Sequence, residues 1–514
     1  MDSQRPLPQK PLGFFPRTHR PVFLTSAGLM VVFILAGTLW TEQAGSLFTT
    51  IKNGIAETCS GLLTGASSIF LGVAVYLMLS PYGRIRLGGP GAEPEFGGTT
   101  WFAMLFSAGM GIGLVFWSIA EPILHLKQAP SIIPGLAPGP QAMQLTYFHW
   151  GLHAWAIFTL MALALGYFCY RHHLPLTIRS AFHPLLGKRI FGPIGDAIDV
   201  TAVVATMFGV ATSLGLGAMQ VNSGLFFVFG MERSPAHQVL LIALITALAT
   251  TSVVLGLVRG ISRLSHFNLW LSAAFLAFVG LFGPTAELLE NWIVNMRDYL
   301  GYVLPLGYWV ETRTDPAWRS NWTTFYLAWW TAWSPFVGMF IARISRGRTI
   351  RQFILGCLFG PTIATFLWLS LFGGTALHLE LKDGIAVSQV VSRDVTQALF
   401  FTLDQLPFSA FTAGVATLVI ITFFVTSSDS GSLVIDIITA GGDPDPPKSQ
   451  RVFWAVTEGV IASILLLGGG LNALQTAAIT TGLPFAVLML FMCYALLKAL
   501  RQEAAEAQSP ERKR

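Results

Sequence analysis

Stretches of about 20 mostly apolar residues recur from one end of this chain to the other, each long enough to carry a helix across a hydrocarbon core of roughly 30 Å. Within such a core every backbone N–H and C=O must find its partner inside the protein, which helices achieve segment by segment. Composition agrees: 53% of the residues are hydrophobic, only 11% are charged, and the mean hydropathy is +0.62. No water-soluble fold accommodates that much apolar surface. The reading is an all-α polytopic membrane protein.

Basic residues give the topology. Arg5, Lys10, Arg17 and Arg20 precede or open an apolar run that extends to Trp40, too long for a signal peptide and followed by no small-residue cleavage site; it reads as a first, uncleaved span. The net charge of +5 and pI of 9.1 do not mark a nucleic-acid binder, because the basic residues lie in short connections and not on one soluble face. Arg84 and Arg86 follow the second span, Arg171, Arg179, Lys188 and Arg189 the fourth, Arg259 and Arg263 the sixth, and Arg343, Arg346, Arg348 and Arg351 the eighth. Every second connection is basic, which predicts about 12 transmembrane helices with both termini cytoplasmic in a bacterial inner membrane. Residues 1–20 form an N-terminal tail and 21–98 the first two spans. A connection over 283–319 holds Glu287, Glu290, Glu311, Asp315 and an amphipathic stretch from Thr285 to Leu300, expected to lie along the outer surface. Residues 501–514 make a short charged tail. Cys59, Cys169, Cys357 and Cys493 have neither disulfide nor zinc spacing and read as packing residues.

Three segments break the pattern of a plain hydrophobic helix. In the third span, Gly109, Gly111 and Gly113 alternate, each weakening a helix by about 1 kcal/mol relative to alanine. A backbone unwound there would expose N–H groups for a carboxylate and carbonyls for a cation; close packing of small residues is the alternative. The glycines do not complete a dinucleotide motif, and no strand precedes them. The second segment is aromatic: Trp150, Trp155 and Phe158 in the fourth span, with Trp329, Trp330 and Trp333 before Pro335 in the eighth. Such residues belong to an interfacial belt or, set this deep in apolar runs, to one internal cage. Ring faces attract a quaternary ammonium, which has no hydrogen to donate, by about 0.5–2 kcal/mol per contact. The third runs from Phe423 through Thr426, Ser427, Asp429 and Ser430 to Ser432 inside an apolar span. Its hydroxyls either ligate a small cation or bond back to their own helix. His149 and His153 are four apart, but without the glutamate of a metalloprotease motif they do not specify a metal. Asp199 and Asp429 serve equally as proton carriers or packing partners. An intramembrane enzyme would need a base beside Ser427–Ser432, and a channel a continuous lined pore; neither pattern is present.

In these segments the chain resembles the betaine/carnitine/choline transporter family. The resemblance rests on Ala108–Gly113 with Ala120-Glu121-Pro122, on Phe148–Trp155, on Pro184–Gly187 with Gly192–Gly195, and on Ser213–Gly217. It continues through the tryptophan box into Ile341–Arg348 and ends in Thr426–Ser430, in order along nearly the whole chain. It implies a LeuT-like 5+5 inverted repeat preceded by two extra helices, with repeats over 99–282 and 320–500, and a homotrimer embedded in membrane lipids. The expected function is import of a small zwitterionic quaternary-ammonium solute such as glycine betaine, with a sodium ion as coupling ion and no organic cofactor. Trp150, Trp155 and Trp330 would form the cage, with Trp329 and Trp333 along the pathway and Phe158 where betaine-specific members have tyrosine.

The same resemblance implies a sodium site from Ser107, Met110, Phe423, Thr426 and Ser427. A second site would use Thr206 and Phe336, but Val210 replaces a threonine there. Sodium-independent exchangers carry an arginine in the seventh span, where this chain reads Phe267-Asn268-Leu269-Trp270. Proton-driven choline members have aspartate at the position of Gly113, and proton-coupled choline uptake is the alternative function. Glycine leaves N–H groups free for an anionic end and so favours zwitterions.

Overall fold

A computed structural model describes residues 6–109, 111–254 and 258–508, with side chains placed for all of these except 106–109, 252–254, 258–263, 265 and 507–508. A small hairpin, β1 (Lys10–Leu12) with β2 (Phe15–Thr18), precedes a chain that is otherwise helical. The first helices are α1 (Arg20–Leu39), α2 (Thr41–Thr58), α3 (Ser60–Leu79), α4 (Gly98–Gly109), α5 (Ile112–Gln128), α6 (Pro138–Trp150) and α7 (Leu152–Gly166). After the four-residue turn α8 (His183–Leu186) come α9 (Pro193–Phe229), α10 (Pro235–Val254), α11 (Val258–Phe282), α12 (Thr285–Arg313) and α13 (Pro316–Asn321). The last are α14 (Thr323–Ile344), α15 (Ile350–Leu381), α16 (Val387–Arg393), α17 (Ala398–Asp404), α18 (Ser409–Thr439) and α19 (Lys448–Gln508).

Among the described residues seven helices are long and apolar enough to cross a membrane, or eight if the bent pair α11 and α12 counts as one. At about 1.5 Å per residue α19 would be roughly 90 Å long if straight, some three times the hydrocarbon core. It is instead kinked at Gly469 and Gly470 and folds as two apolar halves. The amphipathic stretch expected over Thr285–Leu300 is the start of the longer α12, which turns 110° from α11. The buried core is one contiguous apolar cluster centred on α7, α9 and α14.

Hydrogen bonds sort the connections into two ends. At one end Arg171 on the turn after α7 pairs with Glu503 and donates to the Gly88 carbonyl, Arg86 donates to the Gly347 carbonyl, and Arg348 to the Phe96 carbonyl. The N-terminal segment joins the same end through His19 to Asp196 (2.8 Å), beside Arg179, which holds Asp196 and Asp199. At the other end lie Lys127 with Glu380, His378 with Glu287, and Arg313 on the Ile132 carbonyl. Connections called basic from the sequence thus gather at one end, and the acidic outer segment sits at the other. The side chains of Arg259 and Arg263 lie outside the described residues.

At the second end Lys52 of α2 is buried, its ammonium donating to Asn321 Oδ1 (2.9 Å) and Asn472 Oδ1 (2.8 Å). Burial without a carboxylate partner lowers its pKa from 10.5 to about 8. Between those two values the unfolded chain binds the proton and the folded one releases it, so stability rises with pH across that window. The melting temperature is expected to climb as pH is raised from 8 to 10. Lys52→Met should flatten that climb, and an unchanged slope in the variant would assign the effect to other groups.

Candidate functional site

Two helix breaks face each other at the centre of the bundle. The first separates α4 from α5: Gly111 has extended backbone (φ −156°, ψ 177°), and Ile112 starts α5. The second lies at Gly151 between α6 and α7, where a β-carbon would fall 2.5 Å from the Tyr147 carbonyl oxygen and 2.7 Å from Tyr299 Oη, so no larger residue fits. The amide freed at that break is satisfied, because Leu152 N donates to Tyr299 Oη at 3.0 Å. A broken helix at this depth persists only where protein covers it or a cavity takes it up.

A narrow cavity of about 20 Å³ lies between the breaks, lined by Gly111, Gly113, Trp150, Trp155, Phe158, Trp329, Trp330 and Trp333 together with Leu114, Ala154, Ser213 and Thr365. Eight of the nine residues the sequence assigned to substrate therefore meet around one space. Gly109, the ninth, is the last residue of α4, and its surroundings lie outside what the structure describes. The rings form a box: Trp150 and Trp330 are edge-to-face at 4.8 Å, Phe158 meets Trp330 at 6.0 Å and Trp333 at 6.2 Å, and Trp155 meets Phe158 at 5.5 Å. Trp329 stacks behind Trp330 at 4.8 Å. These are cavity walls and not belt residues.

Indole hydrogen bonds hold the box. Trp330 Nε1 donates to the His149 carbonyl (2.8 Å) and Trp150 Nε1 to Glu121 Oε2 (2.7 Å), whereas buried Trp333 Nε1 has no partner. The box thus offers ring faces for an ammonium, and beside them the first turn of α5 for an anionic end. Gly113 lies in that first turn. A β-carbon there would sit 2.4 Å from Trp329 Cη2, so Gly113→Asp must displace the ring as well as add a charge. Labelled betaine uptake by that variant is expected to fall at least tenfold, on the order of 1.4 kcal/mol or more in binding; retained uptake would show that the ring yields.

Behind the box stands a network that the sequence reading did not assign. Glu121, fully buried on α5, has Oε1 2.7 Å from His149 Nδ1 and 3.2 Å from His125 Nε2. Its Oε2 accepts from Trp150 Nε1 and from Tyr326 Oη (2.5 Å). His149 Nε2 lies 2.9 Å from Thr323 Oγ1. Glu121, His125 and His149 bring one ligand atom each within 4.8 Å, as a metal site would. Protons account for the geometry, since four donors already saturate the carboxylate, and a divalent ion here would repel a cation in the adjacent box. The pair weighed from sequence, His149 and His153, is split by the Gly151 break: His153 Nε2 turns to Ser68 at 3.4 Å. The available signal was Glu121 followed at i+4 by His125 within an apolar span.

The hydroxyl-bearing stretch lies on α18, beside the first break. Around Gly217 of α9 the side chains of Ile112 and Phe424 converge, a β-carbon there being 3.0 Å from each, so the start of α5 and the middle of α18 adjoin. Met110 lies outside the described residues, as does the side chain of Ser107. Thr426 Oγ1 donates to the Thr422 (3.0 Å) and Phe423 (3.1 Å) carbonyls, and Ser427 is half-buried. One turn earlier Thr422 Oγ1 meets Asn268 Oδ1 at 3.0 Å, so the seventh-span residue facing this region is neutral. At the second position Thr206 Oγ1 is bonded to the Ala202 carbonyl (2.7 Å), Phe336 packs on Trp333 at 5.3 Å, and Val210 brings only methyls.

Paired helix breaks around an aromatic-walled cavity define a multi-pass membrane protein built to enclose a small solute. The chain belongs to the betaine/carnitine/choline transporter family, whose signature matches residues 21–505. It is 44% identical over 505 residues to a glycine betaine transporter of Acinetobacter baylyi, covering 98% of this chain and 76% of the relative. Glycine betaine transporter 1 of Vibrio parahaemolyticus is 45% identical over 494 residues, 94% of each chain. A glycine betaine/proline/choline/ectoine transporter of the same organism is 44% identical over 495 residues, 94% of this chain and 88% of the relative.

Proposed function

We propose that this protein is a secondary transporter that imports glycine betaine or a similar zwitterion by alternating access, driven by sodium symport. The observation that carries the reading is the box of Trp150, Trp155, Phe158, Trp330 and Trp333 opening onto the N-terminus of α5. Rings favour the quaternary ammonium, while the amides at the start of α5 favour a carboxylate at the other end. Gly113 supports a zwitterion over choline, since it adds no acidic side chain at that anionic end.

Sodium coupling is supported by the adjacency of the first break to Phe423, Thr426 and Ser427 and by the neutral Asn268 facing that stretch. In this reading the ion sits among the backbone oxygens of Ser107, Met110 and Phe423 and the hydroxyls of Thr426 and Ser427, so that binding it draws the broken helix to α18. Twelve spans, two inverted five-helix repeats after two extra helices, a homotrimer, both termini cytoplasmic and a role in accumulating a compatible solute belong to the same proposal. Purified protein in liposomes should accumulate labelled glycine betaine under an inward sodium gradient, not when potassium replaces sodium, and resist competition by choline. Thr426→Ala is expected to raise the sodium concentration for half-maximal uptake about tenfold while leaving equilibrium box occupancy at saturating sodium intact. Choline uptake driven by a proton gradient alone would overturn both substrate and ion.

A further inference from the structure

The seam between α18 and the first half of α19 buries an acid that the transport reading does not use. Glu458 is completely buried, and neither carboxylate oxygen has a hydrogen-bond partner. It projects into the junction of three helices: a β-carbon on Gly431 of α18 would lie 3.4 Å from Glu458 Oε1 and 2.9 Å from Val210 Cγ2 of α9. Ser428, one turn before Gly431, turns toward the same acid, and its Oγ is likewise buried and unpartnered. The charged groups within electrostatic reach of Glu458 are Asp429 on α18 and Arg451, two turns earlier on its own helix. Arg451 is already committed to Asp429, with Nη2 2.8 Å from Oδ1. From α10 the neighbouring Gly459 meets Thr246, which is uncharged.

An ionised carboxylate at membrane depth whose one neighbouring donor is a serine hydroxyl is unfavourable by several kcal/mol, so the group holds a proton or a cation. Among the described residues the unpartnered side-chain oxygens at this junction are two from Glu458, one from Ser428 and Thr246 Oγ1 beside Gly459, fewer than the six or so oxygens that a hard cation gathers. A proton needs only one of them, and the resulting O–H then has an acceptor in Ser428 Oγ. The junction also borders Val210, which brings only methyls to it. We propose that Glu458 is a proton-carrying site, protonated in this conformation and bonded to Ser428, which releases its proton to water when the α9–α18–α19 seam opens and regains one before it closes. The protonated state stands on geometry alone; the exchange rests also on the transport reading above.

The test uses the full-length protein and its Glu458→Gln variant, in which a neutral amide of the same shape replaces the acid. Infrared difference spectra of the wild type at neutral pH should contain the carbonyl band of a protonated carboxyl that Glu458→Gln removes. In liposomes, betaine uptake by the wild type should move protons across the membrane and vary with pH, whereas Glu458→Gln should melt at the same temperature or higher, move none and show a flat pH profile. Absence of the band overturns the protonated state whatever the transport result. A band present in a protein whose sodium-driven uptake moves no protons, with the same pH profile in the variant, overturns the exchange. Absence of any betaine uptake by the wild type fails the transport reading, and the exchange with it, and leaves the infrared result to decide the proton.

Discussion

Replacing Trp330 with leucine is expected to weaken glycine betaine binding by about thirtyfold, because the substitution removes one full ring face from an ammonium, worth up to about 2 kcal/mol when desolvated. The same change frees the His149 carbonyl and leaves Trp150 and Phe158 without the ring they pack on, at 4.8 and 6.0 Å. Trp330→Phe keeps a face of smaller quadrupole and should lose about three- to tenfold, the lower part of the same energy range. Equilibrium binding of labelled betaine, set beside an uncharged tert-butyl isostere, separates the two causes. If the box acts through charge, betaine loses far more affinity than the isostere; equal losses would mean that Trp330 only fills space.

Removing Glu121 should do more damage than any single ring. Glu121→Ala strands the Trp150 and Tyr326 donors and the two imidazoles inside a closed site, and each buried unsatisfied group costs about 1–3 kcal/mol. The variant is expected to lose betaine uptake altogether and to melt well below the wild type in detergent. Glu121→Gln keeps one acceptor but turns an amide N–H₂ toward donors, so it should fold, with betaine affinity lower by about tenfold or more because a negative charge behind Trp150 is gone. A Glu121→Gln variant that binds betaine as the wild type does would reduce the network to scaffolding.

Much of this arrangement was legible in the sequence because membrane helices obey simple rules. Trp150 and Trp155 were separable from belt residues by their depth in an apolar run, and Trp329 and Trp330 by their place just before Pro335; all four line the cavity. The glycines were readable as a break because three in five positions weaken a helix, and a break is present at Gly111, just past Gly109 at the end of α4. The alternative for the hydroxyls was half right as well: Thr426 does bond back to its own helix, as threonine in an apolar span tends to do. What escaped was tertiary. Glu121 stood inside a quoted motif, but nothing in its spacing joins it to His149, 28 residues on, or to Tyr326, 205 residues on. Glu458 was visible as a lone acid in an apolar stretch, yet its neighbours Ser428 and Val210 come from other helices. The kink that divides α19 at Gly469 and Gly470 depends on backbone angles that two glycines permit without compelling.

α12 shows apolar side chains to its surroundings along Leu289, Ile293, Leu300, Leu304 and Tyr308, while its opposite face reaches inward. Two bonds from that inward face end on either side of the Gly151 break: on α6, Gln144 Nε2 donates to the Asn295 carbonyl at 3.1 Å, and at the start of α7 the Leu152 amide donates to Tyr299 Oη. The peripheral helix and the solute cavity are therefore one mechanical piece. Any displacement of α12 must either break those two bonds or carry the Gly151 break and Trp150 beside it along.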